Sequence, residues 1–160
     1  MSARFVTPDE SIAVDLADTG LAAMLELCRR SGRLETGGVL LGHYGEHGDR
    51  VLITKVTGPP RDSRRFPAAF IRGMQGLTAR LGREWRAGLY YVGEWHFHPF
   101  ASAAPSETDI RQTRRFAVDP HLVCPRPVLI IVGGNPDDIA TVTAGVMDEG
   151  GMRHLEPVAN

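Results

Sequence analysis

Long apolar runs are missing from this chain of 160 residues. No stretch approaches the ~20 consecutive apolar residues that a membrane-spanning helix requires. The first ten residues (MSARFVTPDE) contain no apolar segment of the kind found in secretory leaders. We therefore expect no membrane partner, and we expect the protein to act in the cytoplasm.

Cysteine, lysine and net charge are also scarce. Cys28 and Cys124 are too few for a disulfide framework and lack C-x-x-C spacing, so we expect two reduced, buried thiols. Lys55 is the one lysine among 18 basic residues, a bias from which we infer no function. The formal net charge is −1, so no overall positive field would draw the chain to nucleic acid.

The residues that are present indicate one globular domain, residues 1–160, with 42% hydrophobic and 23% charged side chains. Hydrophobic periodicity predicts a mixed α/β (α+β) fold: a mainly antiparallel sheet flanked by helices. Residues 58–67 are rich in proline and arginine and predict an exposed loop. The tail from Gly150 has no clear pattern. The expected strands cover residues 12–16, 37–41, 50–57, 89–97, 128–132 and 139–146, and the expected helices cover 18–32, 74–86 and 106–118.

Two helices carry more detailed expectations. Asp18 and Thr19 are good N-cap residues for the first helix. The second should present one apolar stripe, because its apolar residues recur at helical spacing: Met74, Leu77, Leu81 and Trp85.

A metal site is indicated by His96 and His98. Side chains alternate along a strand, so both imidazoles point to the same face and can share one ion. A catalytic zinc typically has three protein ligands and a water molecule. Asp109, in the first turn of the third helix, can supply the third ligand if the intervening small-residue loop reverses the chain.

Each of these features also has a structural explanation. An H-x-H pair often occurs on a strand by chance. The run from Ser106 to Asp109 also matches a helix capping box, which needs no metal. Neither explanation accounts for the position of this helix start relative to the histidines.

Taken together, the segment reads H-x-H-x7-S-x2-D, and it resembles the signature of the JAMM (MPN+) metalloproteases. His96, His98, Ser106 and Asp109 match it without a gap. The upstream run E-T-G-G-V-L-L-G, which begins at Glu35, resembles the family's glutamate-bearing strand. The resemblance covers roughly residues 12–133 and implies a cytidine-deaminase-like core.

The resemblance also implies a role for each residue. His96, His98 and Asp109 would bind one catalytic Zn²⁺. Glu35 would act as general base and then general acid. Ser106 would donate a hydrogen bond to the oxyanion of the tetrahedral intermediate.

The same resemblance suggests a class of substrate. Members of the family cleave isopeptide bonds at the C-terminus of ubiquitin-like proteins, and G-E-W-H-x-H-P is most similar to short bacterial members. Those include peptidases of antiphage CBASS operons that release a CD-NTase from its conjugates and are encoded beside E1- and E2-like partners. Trp95 is the detail that favours them, although it also fits an ordinary core residue.

Three other functions compete with this one. A non-catalytic MPN scaffold would lose ligands, and all five positions are intact here. A DNA-repair protein of the RadC type shares the H-x-H…D pattern, but this chain lacks net positive charge and an added DNA-binding segment. Processing of sulfur-carrier proteins would use the same site, and the sequence does not distinguish it from deconjugation.

Several residues near the motif are left open. Glu94 shares a strand face with the histidines, so it either orients a zinc-bound imidazole or forms a cross-strand salt bridge. Two arginine clusters either contact an acidic substrate tail or lie on a solvated face. They are Arg111, Arg114 and Arg115 on the third helix and Arg61, Arg64 and Arg65 in the 58–67 loop.

Overall fold

Ten strands and three helices make up the part of the chain that the computed structural model describes, residues 3–138 and 141–159. The helices are α1 (Asp18–Ser31), α2 (Leu77–Arg86) and α3 (Glu107–Ala117). The strands are β1 (Ala3–Val6), β2 (Ala13–Leu16), β3 (Thr36–Tyr44), β4 (Arg50–Val56), β5 (Arg64–Phe66), β6 (Ala69–Ile71), β7 (Tyr90–Pro99), β8 (Val128–Gly134), β9 (Thr141–Asp148) and β10 (Gly151–Pro157).

Eight of the strands form one sheet that closes on itself. Their order is β1-β10-β9-β8-β7-β3-β4-β2, and β2 returns to pair with β1. Most pairs are antiparallel; β2–β4 and β7–β8 are parallel. The mixed, mainly antiparallel sheet expected from the sequence is therefore confirmed, and its closure is an additional finding.

The core is filled by alternate residues of these strands and by one face of α1. Met24 and Cys28 of α1 are fully buried in the cluster that also contains Trp95 and Phe97 of β7. α1 ends at Gly32, which has φ 62°, a left-handed conformation that glycine adopts without steric cost. β7 pairs with β3 from Thr36–Phe97 to Gly42–Tyr90.

Strand alternation on β7 separates the core from the site. Trp95 and Phe97 belong to the core cluster, whereas His96 and His98 lie on the other face. The Trp95 indole N–H donates to the Thr57 carbonyl at 2.9 Å, so its polar atom is satisfied inside the core. Trp95 is therefore a core aromatic residue, which is one of the two interpretations that the sequence allowed.

Some expectations about local structure were wrong. The N-cap of α1 is Ala17, with no side-chain hydrogen bond, because the helix starts one residue early and places Asp18 in its first turn. α2 starts at Leu77 because Gly76 has φ 74° and interrupts the helix. The expected stripe is nevertheless present, because Met74, Leu77, Leu81 and Trp85 line one surface cavity, although Met74 and Trp85 are exposed.

The segment 58–67 is not simply a loop. Its end forms β5, which pairs with β6 as a separate two-stranded hairpin. The tail from Gly150 forms β10, and β1 pairs with it, which the short terminal segments did not reveal. The expected strand 139–146 begins at Thr141, and residues 139 and 140 lie outside the described residues. Cys28 and Cys124 are free and buried, as expected.

Within the described ranges, no helix is long and apolar enough to span a bilayer.

Gly37 provides a test of how tightly the elements pack. A Cβ there would collide with the Trp95 carbonyl and come within 2.8 Å of the Phe70 ring and 2.9 Å of the His96 ring. We expect Gly37→Ala to lower the free energy of unfolding by about 3 kcal/mol or more, because backbone atoms cannot move aside. Chemical denaturation measures this.

Gly82 is the matched control for this substitution. A Cβ at Gly82 in α2 would have only an Arg86 nitrogen within 4 Å, at 3.7 Å. Gly82→Ala should therefore stabilise the protein by about 0.5–1 kcal/mol. Equal stability changes in the two variants would contradict the packing described for Gly37.

Candidate metal centre and catalytic site

The candidate site lies where β7 ends and α3 begins. Ser106 is the N-cap of α3: its hydroxyl accepts a hydrogen bond from the Asp109 backbone N–H at 3.1 Å. In return the Ser106 backbone N–H donates to Asp109 Oδ2 at 2.7 Å. This reciprocal pair is a capping box, so the structural role predicted for Ser106 is confirmed. It also fixes the direction of the Asp109 carboxylate.

Asp109 reaches both histidines of β7. Its Oδ1 lies 2.7 Å from His96 Nδ1, and its Oδ2 lies 3.3 Å from His98 Nε2. All three side chains are buried. The loop between β7 and α3 therefore makes the chain reversal expected from the sequence.

The electrostatics of the three groups are coupled. Burial opposes ionisation of Asp109, but hydrogen bonds from His96 and His98 outweigh it and hold the pKa of Asp109 well below its usual range. The hydrogen bond to Asp109 raises the pKa of His98, although burial acts against it. The site thus contains an ionised carboxylate between two imidazoles.

Two imidazoles and one carboxylate are a donor set that zinc accepts at catalytic centres. The carboxylate now hydrogen-bonds to both rings. No group of three or more His, Cys, Asp or Glu side chains in the described ranges is pre-arranged around a common ion position. Binding a metal would replace these hydrogen bonds, so the donor chemistry fits a metal while the detailed geometry would have to adjust.

Glu35 lies directly before β3, at the edge of this cluster. Thr36 pairs with Phe97 in the register of β3 and β7, so Glu35 comes opposite His98. Its side chain is half-buried, and burial raises its pKa even though the charge of His98 acts in the opposite direction. A carboxyl group with a raised pKa is suited to exchange protons near neutral pH.

The β5–β6 hairpin covers one border of the site. The Glu35 backbone N–H donates to the Phe66 carbonyl at 2.8 Å. The Phe70 ring meets the His96 ring edge-on, with centroids 5.3 Å apart. Gly37 makes this contact possible because it has no Cβ to obstruct it. Sequence reasoning missed Phe70, although its short apolar run between Pro67 and Gly73 hinted at a strand.

A comparison with protein-family models matches residues 19–145 to the family of prokaryotic homologues of the JAB domain. The match covers most of the chain and includes every candidate site residue. The chain belongs to the prokaryotic JAB family.

Two curated relatives resemble this JAB domain over most of its length. A CD-NTase/cGAS isopeptidase of Enterobacter hormaechei is 38% identical over 135 residues, which are 84% of this chain and 75% of that protein. A protein of Sinorhizobium fredii described as a probable metalloprotease is 31% identical over 127 residues, 77% of each chain.

The fold is also found in a solved structure. The solution structure of a Desulfitobacterium hafniense protein superposes with a TM-score of 0.64 and 20% identity, covering 87% of each chain. At that identity the likeness concerns the fold alone.

The role of Glu94 was left open by the sequence. In the structure Glu94 pairs with Arg72, the residue that directly follows the β5–β6 hairpin. Arg72 Nε donates to Glu94 Oε2 at 2.8 Å, and the Tyr91 hydroxyl donates to Glu94 Oε1 at 2.8 Å. Burial raises the pKa of Glu94, and the charge of Arg72 offsets part of that effect. The guanidinium of Arg72 also lies 5.0 Å from the Phe116 ring centroid. Glu94 therefore forms an ion pair with Arg72. Through Arg72, the segment that follows β6 is linked to β7 and α3 of the JAB domain.

The remaining candidates lie outside the cluster. Arg115 lines a surface cavity with Ile71 and Met74, and Arg111 donates to Thr108 at 3.3 Å. In the hairpin, Arg65 donates to the Ser31 hydroxyl at 3.4 Å. The other four histidines are exposed, as expected: His43, His47, His121 and His154.

The Arg72–Glu94 pair yields a stability prediction. Arg72→Met leaves the fully buried Glu94 without its cation and should lower the free energy of unfolding by about 3–5 kcal/mol. The double variant Arg72→Met/Glu94→Leu should recover part of the loss because no charge remains buried. Chemical denaturation of both variants measures the difference.

The matched control is the more exposed pair of Lys55 and Glu84, 2.6 Å apart. Lys55→Met should change the free energy of unfolding by less than about 1 kcal/mol. A loss at Arg72 no larger than this would show that the buried pair does not join the elements as described.

Proposed function

We propose that this JAB-family chain is a zinc-dependent isopeptidase that releases a CD-NTase-type or ubiquitin-like protein from its conjugates. The observation that carries the proposal is the convergence of His96 and His98 on the Asp109 carboxylate, at 2.7 and 3.3 Å. The names of the relatives, an isopeptidase and a probable metalloprotease, support the same chemistry.

His96, His98 and Asp109 are the proposed zinc ligands. Zinc, when bound, lowers the pKa of a coordinated water molecule to ~7 and so makes a nucleophile available at neutral pH. The capping box holds Asp109 in place through the Ser106 N–H, and the packing of Trp95 and Phe97 holds the two histidines on the opposite strand face. The ligands thus sit on rigid elements.

Glu35 is the proposed general base and acid. Its carboxyl group lies at the edge of the cluster, where burial raises its pKa and favours acceptance of a proton. It would take the proton from the attacking water and pass it to the departing amine. The backbone of Glu35 is tied to Phe66, which limits the positions its side chain can adopt.

Ser106 is the proposed hydrogen-bond donor to the oxyanion. Its oxygen accepts from the Asp109 N–H, so the hydroxyl hydrogen stays available for the substrate. Ser106 is exposed, and a substrate carbonyl can therefore reach it. Donors of this kind contribute about 3 kcal/mol to the transition state in comparable sites.

The substrate tail is proposed to lie along the β5–β6 hairpin. This two-stranded sheet does not join the main sheet, and an extended peptide can pair with its edge. The hairpin contacts both Glu35 and His96, so a tail held there would lead directly into the site.

Deconjugation is preferred over maturation of sulfur-carrier proteins because the relatives from Enterobacter hormaechei and Pseudomonas aeruginosa are named CD-NTase/cGAS isopeptidases. E1- and E2-like enzymes encoded nearby would be the partners that build the conjugates. The intact set of ligands and proton-transfer residues argues against a purely structural MPN scaffold. A cytoplasmic location agrees with the two free, buried thiols.

The metal content tests the proposed ligands. Purified protein should contain close to one zinc ion per chain, and His96→Ala should lose it, because two ligands bind zinc far more weakly than three. Elemental analysis after gel filtration measures this. His121→Ala, which removes an exposed histidine, should retain the metal. Equal zinc content in both variants would place the metal elsewhere.

The role of Glu35 is tested by Glu35→Gln. The variant should keep zinc and its melting temperature, yet lose about 10²–10⁴-fold in kcat on a CD-NTase-type protein joined through its C-terminal carboxyl group to a lysine ε-amine. The products are followed by intact mass, with a chelator-treated sample as the negative control. Full turnover by Glu35→Gln would remove this residue from the mechanism.

A further inference from the structure

Phe100 has a backbone conformation that its residue type disfavours. It follows Pro99, the last residue of β7, and has φ 58°. The Ala101 N–H donates to the His98 carbonyl at 3.4 Å, so His98 to Ala101 form a turn with Phe100 in the third position. A turn with proline second and a positive φ third follows the type II pattern, which ordinarily has glycine or asparagine at that place. A phenylalanine there strains the backbone.

The neighbouring contacts prevent the turn from relaxing. The Phe100 N–H donates to the Gly134 carbonyl at 2.9 Å. Farther along the loop, Thr143 Oγ1 donates to the Ala103 carbonyl at 2.5 Å. The backbone on both sides of Phe100 is therefore fixed to β8 and β9, and the side chain projects from a rigid support.

Folding stability gives no reason for a phenyl group at this position. Phe100 is 58% exposed, so it contributes little to the core. The Arg33 guanidinium lies 5.6 Å from the ring centroid, and at an exposed site such a contact is weak. A glycine would make the same turn without strain. Strained residues of this kind are concentrated at functional sites.

The position of the pair connects it to the active site. Arg33 lies two residues before Glu35, and Phe100 lies two residues after His98. The β5–β6 hairpin bonds to residues on both sides of Arg33, namely Ser31 and Glu35, so Arg33 lies beside the hairpin, whereas Phe100 lies in the loop after His98. The pair offers an exposed aromatic face with a positive charge beside it.

We propose that Phe100 and Arg33 form the subsite for the leaving group, a lysine whose ε-amine carries the scissile bond. The proposal rests on the proposed isopeptidase function, in which the hairpin holds the acyl tail and the loop after His98, which carries Phe100, receives the amine. The phenyl face receives the methylene stem of the lysine, and the guanidinium favours an acidic residue next to it. Phe100 and Arg33 are thus specificity-determining residues.

The test compares two leaving groups that differ only in stem length. One CD-NTase-type protein is joined through its C-terminal carboxyl group to the side-chain amine of Ala-Lys-Ala or of the same peptide with 2,3-diaminopropionate. The wild-type chain should prefer lysine by about tenfold in kcat/KM, because each fully buried methylene is worth about fourfold and this surface is only partly enclosed. Phe100→Gly should reduce the preference to about twofold or less.

Thermal stability separates this role from a structural one. Phe100→Gly relieves the backbone strain and should leave the melting temperature unchanged or raise it by up to about 3 °C. Val123→Gly is the matched control, since Val123 is also exposed and has φ 51° but lies in the segment between α3 and β8. It should retain the wild-type preference for lysine.

The role of Arg33 is tested by changing the residues on either side of the conjugated lysine. Wild-type protein should cleave a Glu-Lys-Glu conjugate about threefold faster than the Ala-Lys-Ala conjugate, as expected for an exposed ion pair. Arg33→Gln should cleave the two conjugates at about the same rate.

The outcomes are distinguishable. A lysine preference that Phe100→Gly leaves intact, or a wild-type chain without any preference, contradicts the subsite while the isopeptidase function stands. Wild-type protein that cleaves none of the conjugates contradicts the proposed function and the subsite with it.

Discussion

The Asp109 carboxylate is the group on which the site depends. It accepts the Ser106 N–H of the capping box, which starts α3, and it lies within hydrogen-bonding distance of both His96 and His98. A local motif that would otherwise only begin a helix thus joins α3 to β7. Burial opposes its charge, but the hydrogen bonds from the two histidines hold the pKa of this carboxyl well below its usual range, so the start of α3 and the end of β7 are held together.

The rest of the site depends on the close approach of β7 and the Phe70 ring to Gly37. Without a side chain at this position, β3 lies against His96 and the Phe70 ring covers the same imidazole. Arg72, two residues after Phe70, pairs with the buried Glu94, so the hairpin is anchored to the strand it covers. The hairpin, Glu35 and the histidines consequently have fixed relative positions, which is the pre-organisation that hydrolysis of an amide requires.

The sequence was most informative where spacing and alternation determine geometry. H-x-H on a strand and S-x-x-D at a helix start were enough to predict that His96, His98 and Asp109 converge. The β5–β6 hairpin and the pairing of β1 with β10 were not predictable, since short strands depend on partners distant in sequence. The role of Arg72 was not predicted for the same reason: Arg72 lies 22 residues from Glu94, and no local sequence pattern predicts a buried ion pair.

We propose that His96, His98 and Asp109 bind zinc through two nitrogens and a carboxylate oxygen. Zinc K-edge X-ray absorption of the purified protein tests it most directly. We expect nitrogen and oxygen neighbours at about 2.0–2.2 Å, with the scattering pattern of two imidazoles and no sulfur shell. A spectrum with sulfur neighbours at about 2.3 Å, or with fewer than two imidazoles, would contradict it.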